Sequence, residues 1–234
     1  MQNILITGAN RGIGYALVEE YLSQSDARVY ATCRNPDDAA ALNALADANP
    51  DRLRILQLDV DDEASIARAV GAVAYDTDSL DVLINNAGVS GSDSGRIMGQ
   101  LTSAEVAAVI TTNAVAPLIV TQACRELLRE GDNPRVVMIS SGLGSISNAG
   151  GSAYAYRMSK AAMNMAARVL AFDEAMAGTI SVTIAPGWVR TDMGGPSASL
   201  APEESASALL TLIQRLGASD NGRFYRYDGA ELDW

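Results

Sequence analysis

The chain contains no histidine in its 234 residues. A Ser-His-Asp triad is therefore excluded, and acid–base chemistry falls to carboxylates, lysine, tyrosine or cysteine. Only two cysteines occur, Cys33 and Cys124, far apart in sequence. Without histidine beside them they argue against a zinc site of the usual ligands. They suit a reduced, cytoplasmic protein. Positive charge is scarce: 17 Lys and Arg stand against 28 Asp and Glu, a net charge of −11. Such a surface repels nucleic acid and anionic membranes. No apolar run reads as long enough to span a bilayer. A strand-like segment at Asn3–Thr7 starts too early to leave room for a signal peptide. Repeats, low-complexity tracts and Pro/Gly-rich linkers are missing as well, so residues 1–234 read as a single domain with its own core.

What is present is an alternation. Short runs rich in Val, Ile and Leu recur at Asn3–Thr7, Arg28–Thr32, Leu53–Asp59, Leu80–Asn85, Arg135–Ser140 and Ile180–Ala185. They read as strands buried on both faces. Helix-length stretches separate them, near Gly12–Ser25, Pro36–Ala48, Asp62–Ala74, Ser103–Arg129, Ser152–Met176 and Pro202–Leu216. Gly222–Tyr227 reads as a seventh strand. This pattern predicts an α/β fold, a doubly wound parallel sheet (Rossmann-like) of about seven strands with helices on both faces. Ligands on such sheets bind at the carboxyl ends of the strands, near the switch in strand order.

The first strand ends in TGANRGIG, Thr7 to Gly14. Gly8 and Gly12 let backbone approach a ligand closely, and Gly14 lets the helix pack close to the sheet. The helix that opens there directs free N–H groups and its positive dipole end at an anion. A strand before and a helix after make this a dinucleotide pyrophosphate cradle rather than a plain turn. The second strand runs into ATCRNP, where an NAD-binding protein usually carries an acidic residue. Cys33 and Arg34 stand there instead. A guanidinium can fork onto a 2′-phosphate, and Arg11 adds charge nearby. Asp37 and Asp38 pull the other way, but the balance favours NADP over NAD.

Further along come LDV at Leu58–Val60, NNAG at Asn85–Gly88, Asn113 in TTNAVAP, ISS at Ile139–Ser141, YRMSK at Tyr156–Lys160 and PGWVRTDM at Pro186–Met193. Together with TGANRGIG, in this order, they resemble the short-chain dehydrogenase/reductase family in its compact single-domain branch, over nearly the whole chain. SSGLGSIS, YAYRMSK, PGWVRTDMGG and the closing YDGAELDW look most like its carbonyl-reductase and C-factor-like members. The resemblance implies cofactor contacts from Gly8, Asn10, Arg11, Gly12, Ile13 and Gly14. It implies an adenine contact from Asp59 beside Val60, and ribose and central-strand support from Asn85, Ala87 and Gly88. Pro186, Gly187, Val189 and Thr191 would seat the nicotinamide.

Two tyrosines compete for the proton. Tyr156 has Lys160 four residues on, one turn along the same helix face, whereas Tyr154 has Met158. A free phenol has a pKa near ~10, and a nearby ammonium would lower it. Ser140 and Ser141 point to opposite faces, so one of them can face a pocket. The family pattern selects Ser141, with Ser145 a weaker candidate. Ser141 and Tyr156 are 15 positions apart, a little more than the family commonly has, and Ser147–Ser152 absorbs the excess. Pro117 lacks the N–H that would bond the Asn113 carbonyl, so the helix should bend there. In the resembling family that carbonyl holds a water that connects Lys160 to solvent.

The implied function is NADPH-dependent carbonyl reduction, with Ser141 holding the carbonyl oxygen, Tyr156 donating the proton and Lys160 assisting. The rivals are a sugar-nucleotide epimerase or dehydratase, and an NADP-binding signalling protein of the C-factor type. Only 47 residues follow Gly187, fewer than epimerase-type relatives use for their substrate region. The substrate pocket falls to the loops Val89–Leu101, Leu143–Ala153 and Trp188–Leu200, with Trp188 and Met193 as an apolar wall. No arginine pair is evident there for a charged acyl carrier, which favours small carbonyl compounds. The two long helices resemble the pair through which family members form homodimers.

Overall fold

Neighbouring residues along each strand face opposite sides of the sheet, and here both sides are apolar. The computed structural model describes residues 1–234, the side chain of Ser94 excepted. Its strands are β1 (Gln2–Ile6), β2 (Ala27–Cys33), β3 (Leu53–Gln57), β4 (Val82–Asn85), β5 (Arg135–Ile139), β6 (Ile180–Ala185) and β7 (Phe224–Arg226). They form one seven-stranded sheet in the order β3-β2-β1-β4-β5-β6-β7, with every pairing parallel. The helices are α1 (Gly12–Gln24), α2 (Ala40–Ala48), α3 (Glu63–Asp76), α4 (Ser103–Ile110), α5 (Ala116–Ala123), α6 (Arg125–Arg129), α7 (Tyr154–Leu170) and α8 (Pro202–Arg215).

Residue parity sorts the core into two layers. Ile4, Ile6, Val29, Ala31, Val82, Ile84, Val137 and Ile139 pack with Leu17, Val18 and Tyr21 of α1 and Leu209 and Ile213 of α8. Leu5, Tyr30, Leu83, Val136 and Met138 pack on the other side with Ile66 and Val73 of α3 and Met163 and Ala167 of α7. Each such aliphatic side chain contributes about 1.5–3 kcal/mol relative to exposure. A one-residue slip of any central strand would exchange the layers, so the register is tightly held.

Three predicted helices differ from expectation. Ser103–Arg129 is not one helix: α4 and α5 are joined by a π turn at Thr111–Val115, and α6 follows Cys124. The missing Pro117 N–H accounts for the disruption, as a widened turn rather than a simple bend. Ser152–Met176 shortens to α7: at its start Ser152 and Ala153 have φ of 86° and 55°, outside helical space, and at its end α7 stops at Leu170, ahead of a separate 3₁₀ turn at Glu174–Met176. Pro36–Ala48 begins as a 3₁₀ turn, Pro36–Asp38, before α2. A fourth difference concerns membranes. Ser103–Ala123 forms a 21-residue helical path, long and apolar enough by composition to cross a bilayer, with a window of mean hydropathy 1.6. Threonines and Asn113 interrupt its apolar residues, which hid its length in the sequence. Its inner face lies against α7 and α3, and 39% of that window is buried.

Candidate active site

The sheet changes winding direction between β1 and β4, and a cleft of about 1060 Å³ opens over the strand ends there. The glycine turn forms its floor. Gly8 has φ of 65°, and a Cβ on it would lie 2.9 Å from Ala87 Cα. A Cβ on Gly14 would collide with the Gly8 carbonyl oxygen. No side chain caps the N-terminus of α1, so its N–H groups are left for an anion. The residues present thus fit a dinucleotide pyrophosphate. The predicted Asn10, Arg11, Gly12, Ile13, Arg34, Asp59, Val60, Ala87, Gly88, Pro186, Gly187, Val189 and Thr191 all line this cleft.

Asn85 does not. It is buried and donates to Thr121 Oγ1 of α5 at 3.1 Å. The prediction that Asn85 lies at the ribose is therefore corrected to the part of its role that supports the central strand. Being the last strand residue, it points into the helix layer, and the next residue turns toward the cleft. That residue, Asn86, was missed. Its side-chain amide donates to the carbonyls of Thr7 and Gly8, both at 2.9 Å. Thr7 Oγ1 accepts from the Asn86 and Ala87 N–H groups, both at 3.0 Å. These four bonds join the turn after β1 to the turn after β4. The doubled asparagine of NNAG was the available signal.

Arg11 also departs from expectation. Its guanidinium pairs with Asp192 at 2.5 Å, on the loop after β6, instead of adding free charge beside Arg34. The side chain of Arg34 has no acceptor among the described residues. Only its carbonyl is engaged, accepting from Gln57 Nε2 at 3.2 Å.

The chemistry end lies at the tips of β5 and β6 and the start of α7. Ser140 turns away and donates to the buried Asn164 Oδ1 at 2.6 Å. Ser141 lines the cleft, accepts from the Leu143 N–H at 3.1 Å and is hydrogen-bonded to the Tyr156 phenol. Ser145 is spent on the turn, where its hydroxyl accepts from the Asn148 N–H at 3.3 Å. Tyr156 faces the cleft and Tyr154 does not line it. Lys160, the only lysine in the chain, is buried behind Tyr156, with Nζ 5.8 Å from the ring centroid. It donates to the Ile139 carbonyl at 2.8 Å.

The expectation that Lys160 depresses the Tyr156 pKa is not what the structure presents. Burial pushes the Tyr156 phenol above its usual value, and the Ser141 hydrogen bond opposes this. Burial also pulls Lys160 down from 10.5 to about 7. Both groups are thus biased toward their neutral forms.

Asn113 lies in the π turn, fully buried and outside the cleft lining. Its side chain exchanges two 2.8 Å bonds with the Val89 backbone and donates to Ser159 Oγ at 2.9 Å. It therefore ties the loop after β4 to α7, one residue ahead of Lys160. The substrate side is walled by Leu143, Trp188, Met193 and Leu232. Trp188 is held by an Nε1–H bond to the Gly194 carbonyl at 2.9 Å.

A doubly wound sheet with a glycine turn at its switch point, and a Ser, Tyr and Lys gathered beside it, defines a dinucleotide-binding oxidoreductase architecture. The chain matches the short-chain dehydrogenase family model over residues 2–200 and belongs to that family. The carbonyl reductase Sniffer of D. melanogaster superposes with a TM-score of 0.93 at 35% identity, covering 100% of both chains. An NADPH-bound carbonyl reductase from chicken fatty liver gives 0.91 at 35% identity, covering 100% of this chain and 99% of that one. The Myxococcus xanthus protein named C-signal is 46% identical over 159 residues, 68% of this chain and 95% of that protein.

Proposed function

We propose that the protein is an NADPH-dependent carbonyl reductase acting on a small-molecule aldehyde or ketone. One observation carries the reading: Tyr156, with Ser141 bonded to it and Lys160 behind it, shares a single cleft with the glycine turn and the unpaired Arg34. A bound reduced nicotinamide supplies the hydride. Hydride and a proton add across the C=O bond, giving an alcohol and the oxidised cofactor. Gly8, Gly14 and the N-terminus of α1 receive the pyrophosphate, and Arg34 receives the 2′-phosphate that distinguishes NADP from NAD. Ser141 holds the carbonyl oxygen. Tyr156 is a protonated donor at neutral pH, as a phenol ordinarily is, and burial raises its pKa further. Lys160, near 7, exchanges a proton at neutral pH and recharges it through the site. Asn113 keeps the Val89 loop and α7 in register, and its main-chain carbonyl is the proposed seat of the relay water.

The reading extends to a cytoplasmic protein that pairs through the helices flanking Tyr156, where Val115, Leu118, Met165 and Val169 are exposed. A signalling protein with little turnover is the second reading, favoured by the likeness to C-signal. NADPH oxidation with a panel of aldehydes, ketones and quinones tests the proposal beside Tyr156→Phe. The variant is expected to lose about 10²–10⁴-fold in turnover while binding NADPH as before. Retained turnover would refute the role of Tyr156. NADPH binding without turnover on any compound would favour the second reading.

A further inference from the structure

Five arginines line the cleft: Arg11, Arg34, Arg96, Arg190 and Arg226. Three are committed to acceptors. Arg11 holds Asp192. Arg226 holds Asp228 through bonds of 2.9 and 2.5 Å. Arg190 donates to the carbonyls of Ala198 and Ser199 at 3.0 and 3.1 Å. The guanidinium groups of Arg34 and Arg96 have no acceptor among the described residues. Arg34 stands at the end of β2, where the cofactor's 2′-phosphate belongs. Arg96 stands at the other end, in the loop after β4.

The backbone of Arg96 is fixed to the helix that carries the reacting phenol. Its carbonyl accepts the Ala153 N–H at 2.9 Å, and its own N–H donates to the Asp93 carbonyl at 3.1 Å. Ala153 is the N-cap of α7, one turn ahead of Tyr156, and takes the left-handed conformation, φ 55°. Such a conformation persists in a non-glycine residue where its surroundings hold it, and the bond to Arg96 is one of those restraints. Gly95 presses on the same helix, since a Cβ there would lie 3.2 Å from Ala155 Cβ. Glu105, the acid packed against this loop, already accepts the Ser92 N–H at 2.5 Å. Leu143, Trp188, Met193 and Leu232 line the same cleft as Arg96; of the cleft's carboxylates, Asp192 is held by Arg11, and Asp59 and Asp61 lie just after β3. An exposed guanidinium without an acceptor among the described residues, lining a cleft that also carries apolar side chains, can recognise an anion there, and its planar fork matches a carboxylate.

We infer that Arg96 is a specificity-determining residue that selects carbonyl substrates bearing a carboxylate, separated from the reacting C=O by an apolar spacer. The inference rests on the reductase reading and refines its substrate class. It leaves the expectation of no arginine pair for a charged acyl carrier in place, since Arg96 is a single basic group.

The test compares 4-carboxybenzaldehyde with its methyl ester, as substrates of the NADPH-loaded protein and of Arg96→Ala and Arg96→Lys. Wild type should prefer the carboxylate. Arg96→Ala should lower kcat/KM for the carboxylate about tenfold, through KM, as loss of a charge-assisted pair at an exposed site implies. The ester should change less than twofold, and Arg96→Lys should restore part of the preference. The Arg96 carbonyl that holds Ala153 survives both substitutions, so Tyr156 stays in place. Equal losses for acid and ester, or no loss for either, would overturn the assignment. Absence of turnover in wild type for both compounds would count against the reductase reading instead. Calorimetric titration of 4-carboxybenzaldehyde into the NADP⁺ complex then decides on Arg96 alone. Binding about tenfold tighter to wild type than to Arg96→Ala supports it, and equal binding or none refutes it.

Discussion

Replacing Lys160 with methionine should abolish turnover and change the protein's stability by an amount that depends on pH. An unfolded lysine keeps its proton up to about 10.5, whereas the buried Lys160 releases it near 7. Between those values the unfolded chain binds more protons, so wild-type stability rises with pH across that window. Below pH 7 the ammonium is charged in both states and its burial costs the full amount. At about 1.4 kcal/mol per pH unit, that amount is at most about 5 kcal/mol, and about 2 kcal/mol remains at pH 9. Lys160→Met removes this contribution. It also leaves the Ile139 carbonyl without its donor, a loss of about 1–3 kcal/mol that does not vary with pH. The net sign at one pH is therefore less informative than the slope. Urea unfolding of cofactor-free wild type and Lys160→Met at pH 6 and pH 9 measures it. The stability difference between them should be about 3 kcal/mol more favourable to the variant at pH 6 than at pH 9. A difference that stays constant within about 1 kcal/mol would refute the account of Lys160 as a desolvated amine.

Further perturbations probe other parts of the site. Arg34→Ala should weaken NADPH binding about tenfold or more and leave NADH unchanged, as read by fluorescence titration; equal losses would remove Arg34 from the 2′-phosphate. Asn86→Ala deletes both amide bonds that hold the Thr7 and Gly8 carbonyls, and should cost about 1–3 kcal/mol in unfolding free energy together with cofactor affinity. Trp234 stacks on Phe224 at 5.4 Å, and its carbonyl oxygen accepts from the Ser147 hydroxyl at 2.7 Å, in the loop between Ser141 and Tyr156. Trp234→Ala should therefore lower stability by about 1 kcal/mol or more and raise KM, while Trp234→Phe should restore much of both.

The strands were readable because parallel strands covered on both faces are continuous apolar runs, and the glycine turn because close backbone packing admits only glycine. Tyr156 and Lys160 could be paired from their spacing alone, since an α-helix places residues four apart on one face. Local spacing and composition carry that much. The rest depends on which distant groups meet. Asn85 and Asn86 are adjacent and chemically identical, yet one is buried against Thr121 and the other fastens the cofactor turn, because the strand ends between them. Arg11 finds its partner at Asp192, 181 residues away, on a different loop. The pKa of Lys160 follows from the core packed around it rather than from Tyr156, so its direction is invisible in the YRMSK motif. Arg96 gains meaning only when its carbonyl is seen to hold Ala153 and three of the other four cleft arginines are seen to be occupied. Periodicity and residue type therefore determined the sheet, the cradle and the reacting pair. The tertiary structure alone decided which polar groups are satisfied within the protein and which are left for a ligand.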